Sequence, residues 1–255
     1  MKRILSAAAG LALSASLLVG CSSGTASSVP VSASSAAEST VSSVEETASS
    51  AVDENEAAAA QLLNDLTGSY QELWPVILAD EYKQTWLDDC TALVGEDNAE
   101  AAFEKLSSMV TGDVYGEDAV KAYANGGGAY FCGFTNSLAT LTFDGETSTI
   151  SGTDKDGNVL FSHTYHYIGM EPVRGLYEFE SDDADSGEFT YFFLAPDTSA
   201  ETYHIEFRYG SDAEALSQYD AGEYAYWLAS GISTDCDQTM IDNCIELFCT
   251  ENLAG

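Results

Sequence analysis

Residues 173–212 read VRGLYEFESDDADSGEFTYFFLAPDTSAETYHIEFRYGSD, and this stretch decides the fold. Aromatic and acidic residues alternate over Leu176–Glu180, which is the period-2 pattern of a half-buried β-strand. A second apolar run follows at Phe189–Leu194, and the alternation returns at Tyr203–Tyr209. The segment 182–187 between the first two runs is rich in Asp and contains Gly, residues that favour turns. The stretch therefore predicts three successive β-strands joined by polar turns.

Further strands and helices are predicted on both sides of this stretch. Four strands precede it, and Asp-Gly pairs mark two of the hairpin turns: Ala129–Thr135, Ala139–Phe143, Thr147–Gly152 and Val159–Ile168. Helical spacing or capping residues predict helices in these places: Ala57–Leu66, around Trp86, Asn98–Val110, Glu117–Ala124, after a capping box at Ser211–Glu214, and from Thr234 onward. This order indicates a mainly β (α+β) domain, an antiparallel β-barrel with an N-terminal helical part and a C-terminal helix. A β-sandwich is the alternative.

The N-terminus has the pattern of a lipoprotein signal peptide. A short basic region and an apolar run occupy residues 1–20, and Leu18–Cys21 matches the bacterial lipobox. We predict that the Cys21 sulfur carries a diacylglycerol; an ordinary signal peptide that ends near a cysteine is the alternative. The rest of 21–51 is mostly Ser, Ala, Thr and Val, which predicts a disordered tether. The folded domain is predicted over 52–255, on the outer side of the cell membrane.

Charge and missing motifs narrow the classes of function. The chain has 8 basic and 42 acidic residues, a net charge of −34, which repels nucleic acid and anionic lipid and attracts cations weakly. A solvated acidic surface is the simpler interpretation of most of these carboxylates. The sequence contains no Gly-x-Ser-x-Gly, His-Glu-x-x-His, Cys-x-x-Cys or phosphate-binding glycine loop. We therefore predict that the protein is not an enzyme.

Five cysteines follow Cys21, and outside the membrane they are free to form disulfides. Cys244 and Cys249 lie about 7.5 Å apart along the predicted last helix, which is too far for easy bridging. Any disulfide should join that helix to Cys90 or Cys132, with at least one thiol left over. The alternative is that the cysteines, including Cys236, are small buried hydrophobic residues.

The three histidines are His163, His166 and His204. The first two are three positions apart in a predicted strand, so they lie on opposite faces and cannot share one ion without a bulge. Polar positions on a barrel wall are the simpler interpretation of both. His204 alternates with Ile205, so it shares a face of its strand with Glu206.

Three motifs resemble the ZinT family of zinc-binding, lipocalin-like proteins, which also form the C-terminal domain of some zinc-uptake lipoproteins. Residues 66–75 (LTGSYQELWP) are similar to the family's L-x-G-x-W-Q-S-V-Y-P. Residues 172–180 (PVRGLYEFE) are like its G-V-R-x-L-F-E, and residues 182–191 (DDADSGEFTY) are like its D-D-A-N-A-G-x-F-K-Y. The resemblance implies a calycin-type barrel with an added helical part.

The resemblance also implies where a metal would bind. The family uses one His before an I-A-P turn and two in the motif H-F-H-I. Here the second motif is TYHI, so His204 matches the last ligand and Thr202 replaces the one before it. The first ligand falls at Phe192 or at Asp197, depending on the alignment of the turn.

The resemblance therefore implies a weak site for zinc or another divalent cation. His204 is the main candidate ligand and Asp197 is its first candidate partner by alignment; His166 and Glu206 are further candidates. The implied function is an extracytoplasmic, lipid-anchored metal-binding protein that is accessory to a metal-uptake transporter. The alternative is a barrel with a degenerate metal site that binds a small or apolar ligand or a protein partner.

Overall fold

The computed structural model describes residues 54–108, 131–196 and 204–253. The predicted signal peptide, the tether, the helix at Glu117–Ala124 and Asp197 lie outside these ranges, so lipidation of Cys21 stays a prediction. Within the described ranges, the helices are all too short or too polar to cross a membrane.

Eight antiparallel strands form a closed barrel in which each strand pairs with its neighbours in the sequence, and β1 pairs with β8. The strands are β1 (Gly68–Glu72), β2 (Thr140–Asp144), β3 (Thr149–Thr153), β4 (Val159–Met170), β5 (Tyr177–Ser181), β6 (Tyr191–Leu194), β7 (His204–Gly210) and β8 (Ala229–Ser233). Irregular pairing on both sides of β4 lets this long strand bend around the barrel. The predicted antiparallel β-barrel is confirmed.

Six α-helices accompany the barrel in the described residues. They are α1 (54–65), α2 (Leu73–Ile77), α3 (Lys83–Val94), α4 (Glu96–Ser108), α5 (Ala213–Leu216) and α6 (Gln238–Leu253), with short 3-10 helices at Asp80–Tyr82 and Gly187–Phe189. Helix α1 lies against the β2–β3 turn at Gly145, where an added Cβ would stand 2.4 Å from the Asn64 Cα. Helices α2, α3, α4 and α6 share a second core that reaches the outer side of β8 at Ile232. The predicted N-terminal helical part and C-terminal helix are therefore present.

Aromatic side chains fill the barrel lumen. The Phe192 ring lies 5.4 Å from those of Tyr165 and Tyr209 and 6.4 Å from that of Phe207, measured between centroids. All four side chains are at most 2% exposed. These rings pack at the spacing of stabilising aromatic pairs, so the lumen is a packed core.

The sequence analysis misses two strands, and one of its predicted strands is wrong. Residues 131–135 of the predicted strand Ala129–Thr135 form only an isolated bridge, between Phe131 and Trp227. The missed strands are β1 (GSYQE), whose only apolar side chain is Tyr70, and β8 (ASGIS), which is built mainly from small residues. Neither strand shows apolar–polar alternation, so they are recognised only from their pairing with neighbouring strands of the closed barrel.

The predicted start of α5 is corrected by one residue. The Asp212 side chain, not that of Ser211, caps the helix by accepting a hydrogen bond from the Ala215 N–H at 3.1 Å. The Ser211 hydroxyl instead donates to Glu188 at 3.5 Å. An Asp at the N-cap satisfies a backbone donor as well as Ser does, so both residues fit the pattern.

Candidate metal site on the outer wall of the barrel

His204 and Glu206 lie on the same face of β7, as the alternation predicts, and this face is the outer one. Ile205 and Phe207, between and beyond them, belong to the core of the barrel. The His204 Nε2 and Glu206 Oε1 atoms are 4.0 Å apart, and the two side chains are 21% and 39% exposed. One imidazole and one carboxylate therefore stand side by side, within reach of solvent.

Helices α2 and α6 cover this part of the wall and leave a pocket of about 80 Å³. Five polar residues line it: His204, Glu206, Ser230, Cys244 and Glu251. The remaining lining residues are apolar side chains of the two helices: Leu73, Trp74, Ile77, Leu247 and Phe248. The pocket is thus a small polar recess under an apolar helical layer.

Aromatic contacts hold the two helices over the pocket. Helix α2 follows β1 directly, and the Trp86 indole of α3 donates a hydrogen bond to the Ile77 carbonyl at its end, at 2.7 Å. The Phe248 ring of α6 meets the Trp74 and Trp86 rings edge-on, with centroids 4.7 and 5.7 Å apart. The outer wall of the pocket is therefore fixed by packing between α2, α3 and α6.

A buried thiol lies close to the carboxylate of the pair. Burial raises the pKa of Cys132 to about 12, and the nearby Glu206 carboxylate also raises it, while a hydrogen bond with Ser230 partly offsets both. The Ser230 N–H donates to the Cys132 carbonyl at 3.0 Å, which holds this residue beside β8. Burial therefore favours the protonated form of the Cys132 thiol at neutral pH.

The described residues do not complete a metal site. Across 54–108, 131–196 and 204–253, no three His, Cys, Asp or Glu side chains converge in an arrangement that holds a metal ion. His204 and Glu206 form a two-donor arrangement, and the predicted partner Asp197 lies outside the described residues. Glu251 and Cys244 line the pocket from α6, and sequence reasoning missed them because only the fold brings α6 to β7.

The other two histidines lie on opposite faces of β4 and each meets an aspartate. The Nδ1 atom of His163 is 2.7 Å from Asp183, and the Nδ1 atom of His166 is 2.7 Å from Asp182. The two aspartates are consecutive residues after β5, so each reaches one side of the β4 strand. Both histidines therefore have carboxylate partners at the barrel wall, in line with the simpler interpretation made from the sequence.

His166 does not belong to the His204 pocket. Strand pairing sets His166 level with Gly210, three strands away around the barrel. Gly210 is in turn six residues along β7 from His204, which is roughly 20 Å at 3.3 Å per residue. The structure therefore separates these two predicted candidates, and they cannot share an ion.

The fold defines the class of the protein. A closed barrel of eight antiparallel strands in sequential order, with helices against one end and one side, is a lipocalin-like, calycin-type barrel. No protein-family model matches the chain, and no curated protein matches it.

Two solved structures from Streptococcus pneumoniae are similar to the chain. One is the Zn(II)-bound ZinT-like domain of AdcA, which is 16% identical with a TM-score of 0.45, over 72% of this chain and 89% of that one. The other is Zn(II)-bound AdcA, which is 16% identical with a TM-score of 0.41, over 76% of this chain and 35% of that one. The bound zinc belongs to those two proteins.

Proposed function

We propose that this protein binds a divalent metal ion, with zinc the first candidate, at His204 on the outer wall of the barrel. The observation that carries the proposal is the 4.0 Å separation of His204 Nε2 and Glu206 Oε1 in a solvent-accessible pocket. Two donors on a tetrahedral zinc are about 3.3 Å apart when each bond is about 2.0–2.1 Å long. A movement of less than about 1 Å by the Glu206 side chain is enough to close that gap.

The size and charge of the pocket suit an ion. Its volume of about 80 Å³ holds an ion with a few waters, whereas pockets for drug-sized ligands measure about 300–1,000 Å³. Glu251 lines the same pocket, and the net charge of −34 favours cations near the surface. With two neighbouring donors and water in the remaining positions, we expect weak binding. Asp197 is the proposed additional ligand.

The proposed location is the outer face of the cell membrane. The lipobox at Cys21 and the tether up to residue 51 support a lipid-anchored domain that reaches into the extracytoplasmic space. The resemblance of the motifs to the ZinT family supports a role beside a metal-uptake transporter. No catalytic role and no nucleic-acid partner are proposed.

A small or apolar ligand is the alternative, and the lumen is where a lipocalin-like barrel would hold it. Phe192, Phe207 and Tyr209 occupy that space and are fully buried. Such a ligand would have to displace these rings, each of which contributes about 3–5 kcal/mol to a folded core. The packed lumen therefore favours the outer pocket, and with it the metal proposal.

Titration calorimetry with zinc on the mature protein in detergent tests the proposal. We expect weak binding by the wild type, loss of binding in His204→Ala, and unchanged binding in the matched control His166→Ala. Binding should also weaken on acidification, because a protonated imidazole cannot bind a metal. Thermal melts of each variant confirm that the barrel is intact. Indistinguishable isotherms for wild type and His204→Ala would end the metal claim and leave the fold untouched.

A further inference from the structure

Two buried cysteines meet where the C-terminal helix packs on α3. The Sγ atoms of Cys90 in α3 and Cys249 in α6 are 3.9 Å apart, and both side chains are 0% exposed. The two residues are 159 positions apart in the sequence, so only the fold brings them together. No disulfide joins the five cysteines among the described residues.

We propose that Cys90 and Cys249 are the site of a disulfide that covalently fastens α6 to α3. A disulfide has an S–S length of about 2.05 Å, so the two sulfurs must approach by about 1.9 Å. The surrounding contacts already hold the helices in register. Trp86, one turn before Cys90, packs edge-on against Phe248, with ring centroids 5.7 Å apart. The contacts of neighbouring residues therefore hold the two helices together at the point where the bond would form.

Among the cysteines that the structure describes, Cys236 and Cys244 form the competing pair. Cys132 lies beside Glu206 and Ser230, at the barrel wall. Cys236 is close enough to Cys244 for the two thiols to interact electrostatically, but no contact between their sulfurs matches that of Cys90 and Cys249 within the described residues. Cys236–Cys244 is therefore the pairing against which the proposal is tested.

The bond forms by thiol–disulfide exchange with a low-molecular-weight disulfide such as oxidised glutathione. One protein thiolate attacks a glutathione sulfur, forms a mixed disulfide and releases one glutathione. The second cysteine, after losing its proton to solvent, attacks the protein sulfur of the mixed disulfide and releases the second glutathione. The protein loses two electrons and two protons, and oxidised glutathione becomes two thiols.

Burial makes this exchange slow, because it raises the pKa of both thiols and keeps the reactive thiolate scarce. Cys249 lies near the end of α6, which stops at Leu253, so opening of the last helical turns exposes it first. Once formed, the disulfide is buried and hard to reduce. An extracytoplasmic location, which rests on the proposed function, supplies an oxidising compartment.

Peptide mapping of the mature wild-type protein tests the proposal directly. The protein is reduced, freed of reductant, incubated for a day with oxidised glutathione, alkylated in denaturant and cut with a Glu-specific protease. Cleavage places Cys90 in peptide 82–96 and Cys249 in peptide 247–251, whereas Cys236 and Cys244 share peptide 224–246. We expect a linked peptide of 82–96 with 247–251 that disappears on reduction.

Variants and thermal melts complete the experiment. The linked peptide should persist in Cys132→Ser and be absent from Cys90→Ser. Oxidation should raise the melting temperature of the wild type by about 10 °C, a shift that Cys90→Ser should lack. The proposal is overturned if peptides 82–96 and 247–251 are both recovered alkylated and unlinked, or if Cys249 is linked to Cys132, Cys236 or Cys244. The mapping of the wild type decides this even if Cys90→Ser fails to fold, and it needs no metal.

Discussion

Replacing the buried Arg208 with methionine should destabilise the protein much more than replacing an exposed arginine. Arg208 is on the outer face of β7 and is fully buried under the connection between β7 and β8. Its guanidinium donates hydrogen bonds to the carbonyls of Leu216, Gln218 and Tyr224, the second of them at 3.2 Å. The ring of Tyr219 lies 4.3 Å from its central carbon. This single side chain therefore fastens the connection to the barrel wall.

The size of the effect follows from these contacts. Methionine fills a similar volume but takes the guanidinium donors away from the Leu216 and Gln218 carbonyls, and each buried carbonyl costs about 1–3 kcal/mol when unpaired. The Tyr224 carbonyl keeps the Trp227 N–H, at 3.3 Å. The stacking of the cation on Tyr219 contributes about 1–2 kcal/mol more. Burying a guanidinium is itself unfavourable by several kcal/mol, and its removal offsets part of the loss. We expect a net loss of about 3 kcal/mol in the free energy of unfolding.

Urea unfolding of the purified protein measures this loss. With a slope of about 2 kcal/mol/M, a loss of about 3 kcal/mol lowers the midpoint by about 1.5 M. Arg174→Met is the matched control, because Arg174 lies over the same Tyr219 ring at 4.9 Å but is exposed. The control should shift the midpoint by less than about 0.3 M. Equal shifts for the two variants, or a shift below about 0.5 M for Arg208→Met, would refute the reasoning.

Two further variants test other parts of the chain. Asp89→Asn should raise the melting temperature at pH 7, because burial first, and then Glu246 and Asp242 across the α3–α6 interface, raise the pKa of the Asp89 carboxyl. A raised pKa in the folded state means that ionisation of Asp89 opposes folding. The stabilisation by Asp89→Asn should therefore appear as the pH rises above about 3.9 and be absent at pH 3. Equal melting temperatures of the variant and the wild type at pH 7 would contradict this. Cys21→Ala should release the protein from membranes or leave its signal peptide uncleaved, and unchanged membrane fractionation would show that Cys21 is not the anchor.

The predictability of each strand depends on what covers its two faces. Strand β5 has acidic residues outside and aromatic residues inside, so its alternation is visible in the sequence. In β8 both faces are buried, one by the lumen and one by the second core around Ile232, and its small residues carry no period. Residues 131–135 are apolar enough to suggest a strand, but they instead pack Cys132 and Phe134 into the buried interior. Alternation therefore finds β5, which has one solvent-facing side, and misses β8, which has none.

The same limit applies to the candidate site. Alternation puts His204 and Glu206 on one face, which the structure bears out at 4.0 Å, but it does not say whether that face is the lumen. The answer depends on α2 and α6, which come from opposite ends of the domain and meet over the β7–β8 wall. Glu251 enters the pocket only through that packing, and nothing near His204 in the sequence points to it.

A pocket outside the barrel can take up an ion without disturbing the packed lumen. Helix α6 supplies Glu251 and Phe248 to the pocket and Cys249 to the contact with α3. A ligand in the lumen would have to displace the buried rings, whereas an ion at His204 would use two donors of β7 in a pocket whose outer wall comes from α2 and α6. A disulfide from Cys249 would therefore stiffen the outer wall of the pocket without changing the barrel. The isotherms report on His204 and the peptide map reports on Cys249, so either proposal can fail while the other stands.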